Sequence, residues 1–306
     1  MMKRTLYFGN PAYLQTTNDQ LVVTLPDQKS GLDEKMRTTT IPIEDLGYVI
    51  LDHQQITISQ ALISKLLANN VALITCDNSH HPTGLFLNLN GNTLQAERFT
   101  MQIEASVPLK KQLWQQTVEA KIFNQALLLQ KEERQGHATL FNLSRDVRSG
   151  DPENVEGRAA AVYWKNLFGD PDFVRGREGE YPNNLLNYGY AILRAITARA
   201  LVGSGLLPTL GIHHRNKYNA YCLADDIMEP YRPVVDQLVC SLYRKYPDDP
   251  GLTPAIKQEL LQIPVLDVWI DGVNSPLMTG MQKTTAALVK CFEGTLRKIP
   301  YPELRN

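Results

Sequence analysis

Residues 59–77 read SQALISKLLANNVALITCD, and the change of period inside this stretch decides the fold class. Ser59 is a helix-capping residue, apolar side chains then recur at helical spacing, and Asn69-Asn70 supplies a stop. The five residues after it, VALIT, form a short continuous apolar run rich in β-branched residues, the pattern of a buried strand. A covering helix feeding a strand is the grammar of a small sheet.

On the N-terminal side the same grammar continues. The segments TLYF, AYLQTT, QLVVTL, TTTIPI and YVILD, and GLFLNL beyond the stretch, are short, rich in Val, Ile, Thr and Tyr, and separated by turn residues. From about Ala96 the texture becomes helical. LKKQLWQQTVEAKIFNQALLLQKE (residues 109–132) repeats apolar residues at spacings of three and four, and PNNLLNYGYAILRAITARALVGSGL closes on Gly-Ser-Gly, as a helix C-terminus does. The expectation is an α+β protein: an N-terminal β domain over residues 1–95 and a larger all-α domain over residues 96–306.

Composition agrees with a folded protein. With 43% hydrophobic and 21% charged residues in a chain of 306, a sizeable core is expected. No apolar run approaches the ~18 residues of a membrane helix, so a cytoplasmic location is expected. The four cysteines are dispersed without a CxxC, which argues for reduced buried thiols rather than a disulfide framework or a thiolate zinc site. A net charge of −1 does not mark a nucleic-acid binder, so any such surface must come from local arrangement.

Three polar constellations stand out in the helical part. In EGRAAAVYW, Glu156, Ala160 and Tyr163 share a helix face; Glu156 is either a carboxylate facing a groove or a first-turn acid complementing the helix dipole. In NNLLNYGYAILRA, Asn184, Asn187 and Tyr188 share a face, with Asn183 or Asn184 the candidate cap after Pro182. In GIHHRNKYNAYCLADDIMEPYRPVVD, the adjacent His213 and His214 precede Asp225, Asp226 and Glu229. This third cluster reads as a metal site, a solvated charged face or a capping arrangement. Acids at i and i+3 or i+4 can converge on one cation, while Pro230 and Pro233 conflict with a continuous helix. One histidine with two carboxylates is an oxygen-rich donor set suited to Mg²⁺ or Mn²⁺ rather than Zn²⁺. Such a metal serves phosphoryl transfer. No Walker loop, GxGxxG or HExxH competes with that reading.

EGRAAAVYW, NNLLNYGYAILRA, GLLPTLGIHH and LADDIMEPYRPVVD, in that order, resemble the CRISPR-associated spacer-acquisition integrase, the larger member of the universal adaptation pair. The spelling of the third constellation is similar to the version that accompanies single-protein RNA-guided effectors, type II. The resemblance spans essentially the whole chain. It implies Glu156, His214 and Glu229 as catalytic metal ligands, with Mg²⁺ or Mn²⁺ as cofactor. His214 is selected because the family's histidine ends a Gly-x-x-His element, and the adjacent His213 departs from the pattern. Tyr163, Asn187, Tyr188, Asp226 and His213 are expected to support the ligands or contact DNA phosphates.

The implied activity is metal-dependent integration, in which the 3′-hydroxyl of a short incoming DNA attacks a phosphodiester at the edge of a CRISPR repeat. The implied partners are double-stranded DNA, a second copy of the chain joined through the β domains, and a small second adaptation protein in a heterohexamer. The type II effector is a further candidate, and the implied setting is the prokaryotic cytoplasm. Two other readings stay open: a hydrolytic metal-dependent DNA nuclease and a DNA-binding scaffold without chemistry.

Overall fold

The computed structural model describes residues 3–26, 38–78, 80, 82–170, 172–176 and 180–305. The chain divides into two compact units, Met1–Gly91 and Asn92–Asn306.

In the first unit, β1 (Arg4–Phe8), β2 (Ala12–Thr17), β3 (Gln20–Thr24), β4 (Thr38–Pro42), β5 (Leu46–Leu51), β6 (Ile56–Ile58), β7 (Ala72–Cys76) and β8 (Pro82–Phe86) build two sheets of four strands. One has the order β1-β5-β7-β8, parallel except for β8; the other has the order β4-β3-β2-β6. The single helix α1 (Gln60–Ala68) sits on Ser59, whose side chain accepts the Leu62 N–H, and packs on β2 and β7. Its buried Leu62 and Leu66 join Leu14, Leu21, Val49 and Leu73 in one core. The expected strands are all present. The reading missed β6, three residues long, and the division of the strands between two sheets.

The second unit comprises α2 (Gln95–Glu104), α3 (Val107–Lys131), α4 (His137–Asp146), α5 (Val155–Leu167), α6 (Asn183–Gly203), α7 (Cys222–Met228), α8 (Arg232–Lys245), α9 (Pro254–Leu260) and α10 (Leu277–Phe292). It is not all-α. An antiparallel hairpin, β9 (Asp267–Ile270) and β10 (Val273–Pro276), interrupts the helices, turning at Asp271-Gly272 with both residues at positive φ. Glu303 adds an antiparallel bridge to Trp269. Among the described residues no helix is long and apolar enough to cross a membrane. Cys222, Cys240 and Cys291 are buried and free, and Cys76 is half-buried and free.

Helix α3 is the beam of this unit, contacting α4, α5, α7, α8 and the 3₁₀ turn Glu229–Tyr231. Trp114, Val118, Lys121 and Gln125 repeat at four, three and four residues and so occupy one stripe of it. The buried Asn124 fastens the beam from the side. Its Nδ2 donates to the carbonyls of Pro230 and Pro302, 2.8 Å each, and its Oδ1 accepts from Leu304 N.

The two prolines of the acidic segment do not distort a helix, as a continuous helix would require. The chain divides into α7, a 3₁₀ turn and α8, and each proline sits in the first turn of its element, where an N–H has no intrahelical partner to lose.

Candidate metal and phosphoryl-transfer site

Asp151 caps the start of α5, its carboxylate accepting from Val155 N at 2.8 Å and Glu156 N at 3.0 Å, while Asn154 accepts from Gly157 N. With the helix end satisfied by these two, the Glu156 side chain is free to reach across to α3. There it meets Lys121 Nζ at 2.5 Å. Glu229, in the turn between α7 and α8, meets the same nitrogen at 2.7 Å through Oε2, and its Oε1 lies 3.0 Å from Arg232. Two carboxylates from separate segments therefore converge on one cationic nitrogen. Burial pulls the Lys121 ammonium down, but the charges of Glu229 and Glu156 outweigh it and its pKa is raised. For Glu229 burial pulls upward, yet Arg232 and Lys121 prevail and hold the carboxyl below its ordinary range.

His213 and His214 have different roles. The His213 ring stacks on Trp114 with centroids 4.1 Å apart and planes 5° off parallel, and burial lowers its pKa. His214 directs Nδ1 to Asp226, 2.5 Å away, and that hydrogen bond is the largest cause of its raised pKa. Its Nε2 is left without a protein partner among the described residues. Asp226 is fully buried and also accepts the backbone N–H groups of Ile212 (2.7 Å), His213 (2.9 Å) and His214 (3.2 Å). One carboxylate thus fixes both the loop and the imbalance between the two ring nitrogens. The loop can close this tightly because residue 211 is glycine: a Cβ there would lie 2.3 Å from the His214 carbonyl oxygen and 2.9 Å from Asp226 Oδ2.

The three acids of this segment do not converge on one point. Asp225 is taken by Arg194, at 2.6 and 3.2 Å, and by Asn219, Asp226 by the histidine loop, and Glu229 by Lys121 and Arg232. Asp225 serves this ion pair and makes no capping hydrogen bond at the start of α7.

Nor is there one polar face on α6. Pro182 occupies the N-cap position, and Asn183 instead ties the preceding loop, accepting from Gly176 N and donating to Val174 O. Asn187 Oδ1 accepts from Arg175 at 2.7 Å, Asn184 reaches Asp249 at the surface, and Tyr188 is buried in the core. Tyr163 donates to Asp236 at 2.7 Å, a carboxylate that also accepts from Tyr190. Burial pushes Asp236 up to about 6 and raises both phenols well above the ordinary range. Of the expected supporting residues, Asp226 touches an expected ligand directly. Tyr163 and Asn187 belong to a neighbouring network built around Arg175 and Asp236. Lys121 was not foreseen as a site residue, although a lysine on the apolar stripe of α3 is an anomaly visible in the sequence; Arg232 ties Glu229 as their spacing of three suggests.

A divalent hard cation takes anionic oxygens first, and an imidazole can join them only through a nitrogen with an available lone pair. Glu156 and Glu229 already share a cation, the Lys121 ammonium. Glu229 Oε2 is buried, in ion contact with that ammonium but without a hydrogen bond of good geometry. His214 presents Nε2 because Nδ1 is committed. These donors fit Mg²⁺ or Mn²⁺ in kind. Among the described residues no three of them are gathered closely enough to encircle an ion, and the ammonium stands between the two carboxylates.

Comparison with known proteins points one way. The family described as CRISPR associated protein Cas1 matches residues 6–249. A CRISPR-associated endonuclease Cas1 of Neisseria meningitidis serogroup C is 38% identical over 288 residues, 94% of this chain and 91% of that protein. In fold, a casposase bound to its integration product superposes with a TM-score of 0.79 at 20% identity, covering 98% of this chain and 92% of its own. A chain of a Cas6-RT-Cas1–Cas2 complex gives 0.72 at 19% identity, covering 99% of this chain and 36% of its own.

Proposed function

The chain belongs to the CRISPR-associated Cas1 family, and from that premise we propose that it is a metal-dependent DNA strand-transferase of CRISPR adaptation. In this reading it joins the 3′-hydroxyl of a short DNA to a phosphodiester of the CRISPR array. The observation that carries the reading is the convergence of Glu156 and Glu229 on one cationic point, beside an imidazole whose Nε2 is freed by Asp226.

Glu156, Glu229 and His214 Nε2 would hold Mg²⁺ or Mn²⁺. When bound, the metal supplies Lewis acidity toward the phosphoryl oxygens and lowers the pKa of the attacking hydroxyl. The protein's own groups do the rest. Asp226 holds the His214 ring in one orientation and one tautomer. Arg232 and Lys121 hold the buried Glu229 carboxyl below its ordinary range, which preserves its donor oxygens at neutral pH. The His213 ring is held by stacking on the buried Trp114, whose edge also meets the His214 ring.

The reaction is balanced without an energy cofactor. One P–O bond forms to the incoming 3′-oxygen, one P–O bond to the outgoing 3′-oxygen breaks, and the proton given up on attack is matched by the one taken up on departure. The absence of an NTP motif agrees with this. Family membership extends the proposal to partners: duplex DNA, a second copy of the chain and the small Cas2-type protein, as named in a complex among the structural neighbours.

Hydrolysis at the same site is the competing reading, favoured by the name endonuclease carried by the Neisseria relative. Purified chain and its small partner, incubated with supercoiled CRISPR DNA, a labelled short duplex and Mg²⁺ or Mn²⁺, separate the two. Covalent transfer of label into the plasmid, lost in EDTA, is the expected result. Label-free fragments alone favour the nuclease, and full activity in EDTA removes the metal from the mechanism.

A further inference from the structure

Helix α2 turns a polar residue inward and an apolar one outward. Gln102 is 1% exposed, while its neighbour Ile103 is 64% exposed. A buried amide is costly unless its N–H groups and its oxygen are met, and here one stretch of chain 105 residues further on meets them. Gln102 Nε2 donates to the carbonyls of Leu207 and Leu210, at 2.9 Å each, and Oε1 accepts from Leu207 N at 3.0 Å.

The stretch so held is the approach to the histidines. Leu210 O is the last atom that Gln102 holds, and Ile212 N, at 2.7 Å, is the first that Asp226 holds. Gly211 alone separates the two clamps, which leaves the loop little slack. The clamps also tie it to different parts of the site. Asp226 belongs to α7, which runs directly into the turn that carries Glu229. Gln102 belongs to α2, joined through Ala105 and Ser106 alone to α3, the helix of Trp114 and Lys121. Asp226 sets how the His214 ring is turned, through Nδ1; Gln102 sets where the chain that delivers the ring enters.

Arg98, one turn earlier on the same helix, provides a contrast. Its NH1 donates to Ser204 O at 2.9 Å, so it too fastens α2 to the chain after α6, but well short of the histidines.

We propose that Gln102 is a positioning residue for strand transfer, which fixes the place of the His214 imidazole relative to Glu156 and Glu229 by holding Leu207 and Leu210. It acts through the loop and not on the substrate. The proposal rests on the reading of His214 as a donor in the site above.

The test compares Gln102→Met with Arg98→Met in the full chain. The first keeps the side chain's length and removes its three hydrogen bonds to the loop, and the second removes the bond to Ser204. One readout needs neither metal nor DNA. Trp114 stacks on His213 and meets the His214 ring edge-on, centroids 5.6 Å apart, so its fluorine resonance in protein labelled with 5-fluorotryptophan reports where both rings stand. That resonance is picked out from those of the three tryptophans by its loss in Trp114→Phe. Manganese affinity by calorimetry and the joining rate at saturating metal are the other two.

Gln102→Met should move the Trp114 resonance, weaken manganese binding roughly tenfold and slow joining roughly tenfold. Arg98→Met should change none of the three, whatever it does to the melting temperature. If Gln102→Met does not fold, Gln102→Asn, which keeps the amide but sets it one methylene back from the loop, should give the same three changes.

An unmoved resonance overturns the proposal. So does a moved resonance with wild-type manganese affinity and joining, because the loop then shifts without consequence, and so does the full set of changes in Arg98→Met, which would mark general loosening of α2. The strand-transfer reading fails separately. If the wild type joins no DNA, that reading falls, while the resonance and the manganese affinity still decide the role of Gln102.

Discussion

Replacing Asp226 with Asn changes one atom and tests how the imidazole is set. The carboxylate accepts four hydrogen bonds, two on Oδ2 from Ile212 N and His213 N and two on Oδ1 from His214 N and His214 Nδ1. An Asn side chain keeps one oxygen, and the two backbone bonds at 2.7 and 2.9 Å will claim it, because together they outweigh the single long contact of 3.2 Å from His214 N. Its NH₂ group then faces His214 Nδ1. The ring must answer with a lone pair at Nδ1, which places its proton on Nε2 and removes the atom available to a metal.

The expected stability cost is about 1–2 kcal/mol, from charge-assisted bonds weakened to neutral ones, visible as a drop of a few degrees in melting temperature. The functional cost is larger: a supporting carboxylate of this kind is worth roughly ten- to a hundredfold in metal affinity or activity. Manganese titration by calorimetry and the strand-joining assay at saturating metal read the two effects separately. Wild-type joining and wild-type manganese affinity in Asp226→Asn would refute the assignment of His214 Nε2 as a donor.

The remaining predictions follow from the same geometry. Glu229→Gln should abolish joining and retain the fold with an amide oxygen still accepting from Lys121 or Arg232, whereas Glu229→Ala removes that acceptor too, leaving Arg232 without its carboxylate and Lys121 with Glu156 alone, and should be the less stable of the two in denaturant unfolding; equal stability of the two variants contradicts the ion network. Glu156→Ala, whose side chain is more exposed, should lose joining with a smaller stability change. Gly211→Ala places a methyl against the His214 carbonyl and Asp226, so joining should fall while the circular dichroism spectrum is kept, and unaltered joining would show that the loop has slack. Asp236 has a folded-state pKa raised from 3.8 to about 6, so its contribution is present below pH 4 and is lost as pH rises through 6, a fall of about 3 kcal/mol. Asp236→Asn should flatten the stability profile across that window; an unchanged slope assigns the pH dependence elsewhere.

Much of this arrangement was legible in the sequence, for identifiable reasons. The strands of the first unit announce themselves because β-branched runs end on turn residues, and α1 because Ser59 and Asn69-Asn70 bound it. The hairpin β9–β10 carries its own signal, Asp271-Gly272 between DVWI and VNSP, but strands of four residues are short against the helical periodicity around them. Within the site, the residue types were readable, and so was the local pair Arg232–Glu229, but the distant pairings were not. No local pattern says that Asp225 belongs to Arg194, thirty-one residues away, or that Lys121 bridges two acids beyond it in the chain. Such pairings are decided by how helices pack, and the clue that survives in one dimension is a charged residue placed where an apolar one is due.

The clamp on Asn124 bears on when the protein becomes competent. During synthesis Lys121, Glu156, His214 and Glu229 leave the ribosome in that order, and all four are available well before residues 301–304. Yet the α3 beam that carries Lys121 is fastened by Pro302 and Leu304 at Asn124 and by Tyr301 at Thr117. A nascent chain in which Glu156, His214 and Glu229 are already made still lacks the fastening that holds the beam against the Pro230 turn. The placing of Lys121 between Glu156 and Glu229 is thereby completed by residues 301–304, which are made after all three.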